Sequence, residues 1–219
     1  MSVFITGTGL YTPKESITND ELVKSFNAYV SASNEENEDA INNGDVEPLI
    51  PSSAEFIKKA SGIEQRFVVD KEGILDISRM RPRFDERAND EISIQAEMAI
   101  GASKEAMKQA GVNSPQIDAV ICGCANLQRA YPAVAIEIQN ELGISGYAYD
   151  MNVACSSATF AIQNAYNDIQ SGVADRILVV NPDICSGHLN FKDRDAHFIF
   201  GDACTAVIME RGSQSELSF

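Results

Sequence analysis

The chain predicts an α/β fold: helices layered on a largely parallel sheet. Three observations carry this. Apolar runs of strand type recur at residues 3–11, 65–70, 117–122, 146–153, 176–180 and 204–209. Amphipathic stretches with helical spacing lie between the later ones, at 89–110, 132–142 and from 156 on. Glycine follows each of these stretches, as Gly111, Gly143 and Gly172, where a helix is normally stopped. Strands that alternate with helices are joined through crossovers, and crossovers make neighbouring strands parallel.

Taken in order, residues 3–11 read as a buried strand broken by Gly7 and Gly9 and closed by Thr12-Pro13. Thr18-Asn19-Asp20-Glu21 has the form of a capping box and starts a short helix to about Phe26. Residues 33–47 are the most polar tract and read as a surface insertion with a helical piece near Ala40-Ile41. Pro51-Ser52-Ser53-Ala54-Glu55 opens another helix that ends at Ser61-Gly62, and 65–70 forms a strand. Residues 71–88 read as a loop or lid, with Arg79, Arg81, Arg83 and Arg87 among acidic residues. Asn89-Asp90-Glu91 opens a long helix whose apolar stripe is Ile92, Ala96, Ala99, Ile100, Ala106, Met107 and Ala110. Pro132 stands at the first turn of the next helix. Helical spacing then resumes after Cys155, with Ala158, Ala161, Ile162, Ala165, Tyr166 and Ile169.

With 219 residues, 44% hydrophobic, the chain has material for one large domain or two small ones. Its net charge is −15 and its pI about 4.4. That excludes phosphate neutralisation as a main task, so nucleic acid is not an expected partner. An acidic partner would need a local basic patch. The five cysteines are an odd number in a long chain, which favours reduced thiols over a disulfide framework. The first residues have no charged and apolar leader pattern, and no stretch approaches a membrane span. The expectation is a soluble cytoplasmic protein.

Among candidate sites, Gly7-Thr8-Gly9 lacks the third glycine of a dinucleotide loop and reads as a turn at a strand end. Cys122-Gly123-Cys124 is too closely spaced for a zinc pair, and no second pair follows, so no metal is expected. No Gly-x-Ser-x-Gly elbow is present. Cys155 sits where a strand passes into a helix, on the first residues of that helix. Unpaired N–H groups and the positive end of the helix dipole favour an anion there, so Cys155 reads as a reactive thiolate or as a small core residue. His188 and His197 are both candidates for its base, and nothing in the sequence sets either beside it. Arg194 can meet an anionic substrate or simply pair with Asp193 or Asp195. The arginines of 79–87 read as a solvated loop or as a docking patch for an acidic partner.

The order of these pieces resembles a known family. Tyr147 through Ala161 is similar to the nucleophile segment of ketoacyl synthase III, the 3-oxoacyl-[acyl-carrier-protein] synthase that starts fatty acid synthesis. So are Ala130-Tyr131-Pro132-Ala133, the run from Ser171-Gly172 to Val180, Asp193-Arg194, and Phe200-Gly201-Asp202-Ala203, while Ser61 to Arg66 resembles its Gly-Ile-x-x-Arg segment. The resemblance runs from Val3 to Arg211. It implies a thiolase-like layered α/β half-fold around a central five-stranded, mostly parallel mixed sheet, with residues 1–219 as the N-terminal half and the C-terminal half absent from this chain. It implies a condensing acyltransferase that makes 3-oxoacyl-carrier protein from an acyl thioester primer and a malonyl-carrier protein through a Cys acyl-enzyme. By motif Cys155 is the nucleophile and its backbone N–H one oxyanion donor, while Arg194 lies near the coenzyme A nucleotide. By the same resemblance, Tyr131 matches an aromatic residue that reaches across a homodimer interface. Acyl-CoA and acyl carrier protein are then substrates and partners, and no other cofactor is implied.

Three departures qualify the resemblance. The family's catalytic His and Asn belong to the second half, so those roles do not pass to His188 or His197, and this chain alone is expected to be inactive. There is no Trp, and Phe56 stands where the family often has the Trp that stacks on adenine. Residues 27–52 and 71–88 are longer than in compact members, which favours a primer longer than acetyl. The rival readings are another thiolase-fold synthase, of polyketide type or related to hydroxymethylglutaryl-CoA synthase, and a non-catalytic half-fold that dimerises or binds a carrier protein.

Overall fold

A computed structural model describes residues 2–88 and 90–212. In chain order the elements are β1 Ser2–Tyr11, β2 Glu15–Thr18, α1 Asn19–Glu36, α2 Glu38–Asn42, α3 Ala54–Ser61, β3 Gln65–Val68 and α4 Lys71–Leu75. They continue with α5 Ile94–Ala110, β4 Ala119–Gly123, α6 Val134–Leu142, β5 Tyr147–Met151, α7 Ser157–Ser171, β6 Arg176–Ile184 and β7 Asp202–Gly212. The chain forms two compact units. The first takes the residues up to Thr12, Glu86–Asp183, and those from Ala203 on, while the second takes Pro13–Asp85 and Ile184–Asp202.

The first unit holds a five-stranded mixed sheet in the order β1-β7-β6-β4-β5. β4 is parallel to both β5 and β6, and β1 is antiparallel to β7. Every residue of β4 is buried, as its uninterrupted apolar run requires of a central parallel strand. Ile121, Ile177 and Val179 pack with Ala161, Ala165 and Ile169 of α7, so the helix that follows Cys155 lies on the sheet. Helix α5 lies on β1. There Gly7 and Gly9 are not a turn at a strand end: they sit within a continuous strand that bulges between Ile5 and Gly7. A Cβ at Gly7 would stand 2.1 Å from the Ala106 carbonyl oxygen, and one at Gly9 2.0 Å from that of Ala102, so their bareness admits the helix. Helix α5 starts later than the sequence suggests, with Ser93 as its cap, accepting from the Ala96 N–H; Asn89 lies outside the described residues. Gly111 and Gly172 end α5 and α7 in the left-handed conformation, at φ 68° and 81°.

The second unit pairs β2 with β3 in an antiparallel ribbon and packs α1, α3 and α4 around Ile17, Leu22, Phe26, Ile57, Ile74 and Phe191. The Thr18–Glu21 capping box is present, but α1 runs ten residues past Phe26, to Glu36. Leu22, Phe26 and Val30 keep one stripe buried, so α1 continues into the polar tract, and the helical piece expected near Ala40-Ile41 is α2. Asn34 exchanges two hydrogen bonds with the backbone of Leu49 (2.9 and 3.0 Å), and Asn27 two with Ser52 (2.8 and 3.0 Å). These fasten residues 49–52 along α1. Strand β2 escapes prediction because four residues show too little periodicity. The expected loop after β3 contains the short helix α4, whose first turn is capped by Asp70 accepting from the Gly73 N–H.

Candidate active site

Cys155 lies in the first unit, in the turn between β5 and α7. The helix begins at Ser157 with Ser156 as the cap position, so Cys155 lies just ahead of the helix and not on its first residues. The turn is closed by short local bonds. Ser157 Oγ accepts from the Val153 N–H (2.9 Å) and donates to the Ala154 carbonyl (2.7 Å). Asn152 accepts from the Ala154 N–H (2.9 Å) and donates to the Ala125 carbonyl (2.8 Å), tying the turn to the segment after β4. Ala154 takes a left-handed φ of 48°, a costly conformation for a residue with a Cβ. Strain at that position, beside an exposed cysteine, is the kind found where a side chain is aimed for chemistry.

Other groups fix the same turn from below. A Cβ at Gly123 would stand 2.7 Å from the Ser157 carbonyl and 2.9 Å from Asn181 Nδ2, so the end of β4 must be bare for α7 to start where it does. Asp150 on β5 accepts from the Val134 and Ala135 N–H groups, each at 2.8 Å, and so caps α6, which has no cap side chain of its own. Burial pushes the Asp150 carboxyl above the usual aspartate range, and the two backbone bonds pull it part of the way back. Sequence reasoning passed over Asn152, Ser157 and Asp150. The Ser156-Ser157 pair carried a visible cap signal; Asp150 carried none, because its partners lie on another element.

Cys155 differs from most of the other thiols. Cys122, Cys124 and Cys204 are buried, and burial raises each of their pKa values, that of Cys204 to about 12. The fifth, Cys185, is half-buried in the second unit. Cys122 and Cys124 belong to the core, and no group of three or more His, Cys, Asp or Glu side chains that could hold a metal occurs among the described residues.

The two residues matched to the nucleotide meet in the second unit. The Arg194 guanidinium lies 4.2 Å from the centre of the Phe56 ring. Its Nε donates to the Pro51 carbonyl (3.0 Å) and its Nη1 to Asp195 (3.3 Å). The expected pairing with Asp195 is thus present, but the cation–π stack and the Pro51 bond fix the guanidinium plane. His197 and His188 also belong to the second unit. His197 is fully buried, stacked on Phe26 at 4.5 Å, with Nδ1 2.8 Å from the Arg194 carbonyl. Burial holds its pKa below the usual histidine value, which makes it a neutral core residue. Tyr131 is 91% exposed and precedes a cis peptide bond to Pro132.

Comparison with known proteins places the chain in a family. The family described as 3-oxoacyl-[acyl-carrier-protein] synthase III matches residues 149–219, and the thiolase N-terminal domain matches residues 81–183. A beta-ketodecanoyl-[acyl-carrier-protein] synthase of Pseudomonas aeruginosa is 61% identical over 189 residues, 86% of this chain and 54% of that protein. The chain belongs to the thiolase-like superfamily, with the ketoacyl synthases III. A beta-ketoacyl-[acyl-carrier-protein] synthase III of Mesorhizobium japonicum is 32% identical over 171 residues, 78% of this chain and 47% of that protein. Among solved superfamily structures, the 3-oxoacyl-[acyl-carrier-protein] synthase III of Aquifex aeolicus matches with a TM-score of 0.72 at 26% identity, over 97% of this chain and 55% of that one. The chain spans about half the length of the curated relatives it matches.

Proposed function

We propose that this chain is the nucleophile-bearing half of a condensing acyltransferase that makes a 3-oxoacyl thioester for fatty acid biosynthesis. The Cys155 thiolate attacks the carbonyl of an acyl thioester primer and expels the carrier's thiolate. A malonyl-carrier protein then loses carbon dioxide, and its carbanion attacks the acyl-enzyme. The C–C bond forms as the bond to Cys155 Sγ breaks, and the thiolate is restored. The Cys155 backbone N–H serves as one donor to the oxyanion of each tetrahedral intermediate. Arg194 and Phe56 take the nucleotide end of an acyl-CoA, and the partners are acyl-CoA and an acyl carrier protein. The observation that carries this reading is an exposed cysteine on a strained strand-to-helix turn, within the segment that matches the synthase III family.

The 61% identical relative is named for a beta-ketodecanoyl product. A two-carbon extension that ends in ten carbons starts from eight, so octanoyl is the proposed primer. We further assign a homodimer and the cytoplasm. The dimer is supported by β5 standing at the edge of its sheet and by the exposure of Tyr131. A reducing compartment is supported by five free cysteines. Among the described residues no helix is long and apolar enough to cross a membrane.

The test is acyl loading of the full-length protein with straight-chain acyl-CoAs from acetyl upward, read as a mass increment on the peptide that carries Cys155. The expected result is an octanoyl adduct in preference to acetyl, lost in Cys155→Ala. Strict acetyl preference would overturn the primer assignment, and an acyl group retained by Cys155→Ala would overturn the nucleophile.

A further inference from the structure

The arginines after α4 form a surface that the chemistry at Cys155 does not use. Burial alternates along residues 80–83: Met80 and Pro82 are buried, and Arg81 and Arg83 are exposed. The segment is pinned. Asp70 accepts from the backbone N–H groups of Gly73 and Arg83, the Arg81 N–H donates to the Gly73 carbonyl (3.2 Å), and the Met80 N–H donates to that of Asp76 (2.7 Å).

Its charges are mostly unspent. Arg83 pairs with Asp76 (3.1 Å) and Glu72 (3.8 Å). The Arg79 guanidinium donates only to the Arg81 and Pro82 carbonyls (3.0 and 3.2 Å) and meets no carboxylate among the described residues. The Arg81 side chain makes no hydrogen bond or ion pair among the described residues and is exposed. Residues 79–83 thus carry three arginines and no acid in a chain of net charge −15. Ile77 and Phe84, on either side, are 45% and 41% exposed. Arginine beside an exposed aromatic ring is a composition enriched at protein interfaces.

We infer that Arg79, Arg81 and Arg83, flanked by Ile77 and Phe84, form a docking surface for an acidic protein, and that its occupant is the carrier protein. The choice of occupant rests on the function proposed above. A carboxylate-rich partner is repelled by the chain as a whole, so approach is productive only where positive charge is concentrated, and that point sets its orientation.

The experiment uses the full-length enzyme and malonyl-carrier protein as the probe. Arg81→Glu is the leading variant, since this side chain supports nothing else in the fold; Arg79→Ala/Arg81→Ala is the second. The expected result is a KM for malonyl-carrier protein raised roughly tenfold or more, with a weaker salt dependence, and a matching loss in direct binding. Acylation of Cys155 from acyl-CoA, which needs no carrier protein, should keep its wild-type rate. An unchanged KM and affinity in both variants would overturn the docking surface. An equal rise in the KM for acyl-CoA would also overturn it, in favour of a nucleotide-phosphate site. Failure of the function proposed above would be visible separately, as a wild-type enzyme that does not condense at all.

Discussion

Cys155 and the other thiols differ by environment and not by chemistry. A thiol reacts as thiolate and needs access. Cys122, Cys124 and Cys204 lack access, and burial disfavours their anions. Limited iodoacetamide treatment of the full-length protein is therefore expected to label Cys155 first, as read by peptide mass spectrometry. Equal labelling of all five sites would count against the nucleophile. Arg194 and Phe56 show a second lesson at this scale. In the chain they are 138 positions apart, and only the fold brings the Arg194 guanidinium to 4.2 Å from the centre of the Phe56 ring.

The turn from β5 to α7 works because three elements agree on its position. β4 ends bare at Gly123, β5 is tied to α6 through Asp150, and α7 starts on Ser157, whose hydroxyl closes the loop behind Cys155. Gly123→Ala forces a methyl against a backbone carbonyl at 2.7 Å, which cannot swing aside as a side-chain end would. The expected cost is about 1–3 kcal/mol in denaturant unfolding. The acylation rate of Cys155 should fall further than the stability loss explains, because the turn shifts with the helix start. Wild-type acylation in this variant would show that the packing does not aim the thiol. Helix α1 makes a related point. The polar tract after Phe26 looked like an insertion, yet Val30 and the paired asparagines Asn27 and Asn34 keep that stretch helical and useful, as a rail for residues 49–52.

At the scale of the whole molecule, several large apolar side chains stay exposed. Phe160 and Tyr166 on α7 are 48% and 43% exposed, Val173 just past it 64%, and Leu10 on β1 58%. Where such side chains adjoin, they mark faces that another layer or another subunit covers. Expressed as residues 1–219 alone, the chain is expected to self-associate, with a mass in light scattering that rises with concentration. A concentration-independent monomer would argue that these faces need no cover.

The sequence by itself determined the fold class, the strand-to-helix turn that carries Cys155 and the order of the longer elements. Those depend on local facts: apolar period, glycine stops, and a motif whose residues are neighbours in the chain. Its errors fell where the deciding contact was remote. Gly7 and Gly9 looked like a turn until α5 was laid against them, and Asp150 had no visible task until α6 needed a cap. The tertiary structure alone decided which thiols are sealed, that Arg194 stacks on Phe56, that His197 is a neutral core residue, and that Arg81 faces solvent with no side-chain partner among the described residues. The physical reason is the same in each case. Burial, and with it charge state and access, belongs to the packed chain, because it depends on which distant atoms displace water from a group.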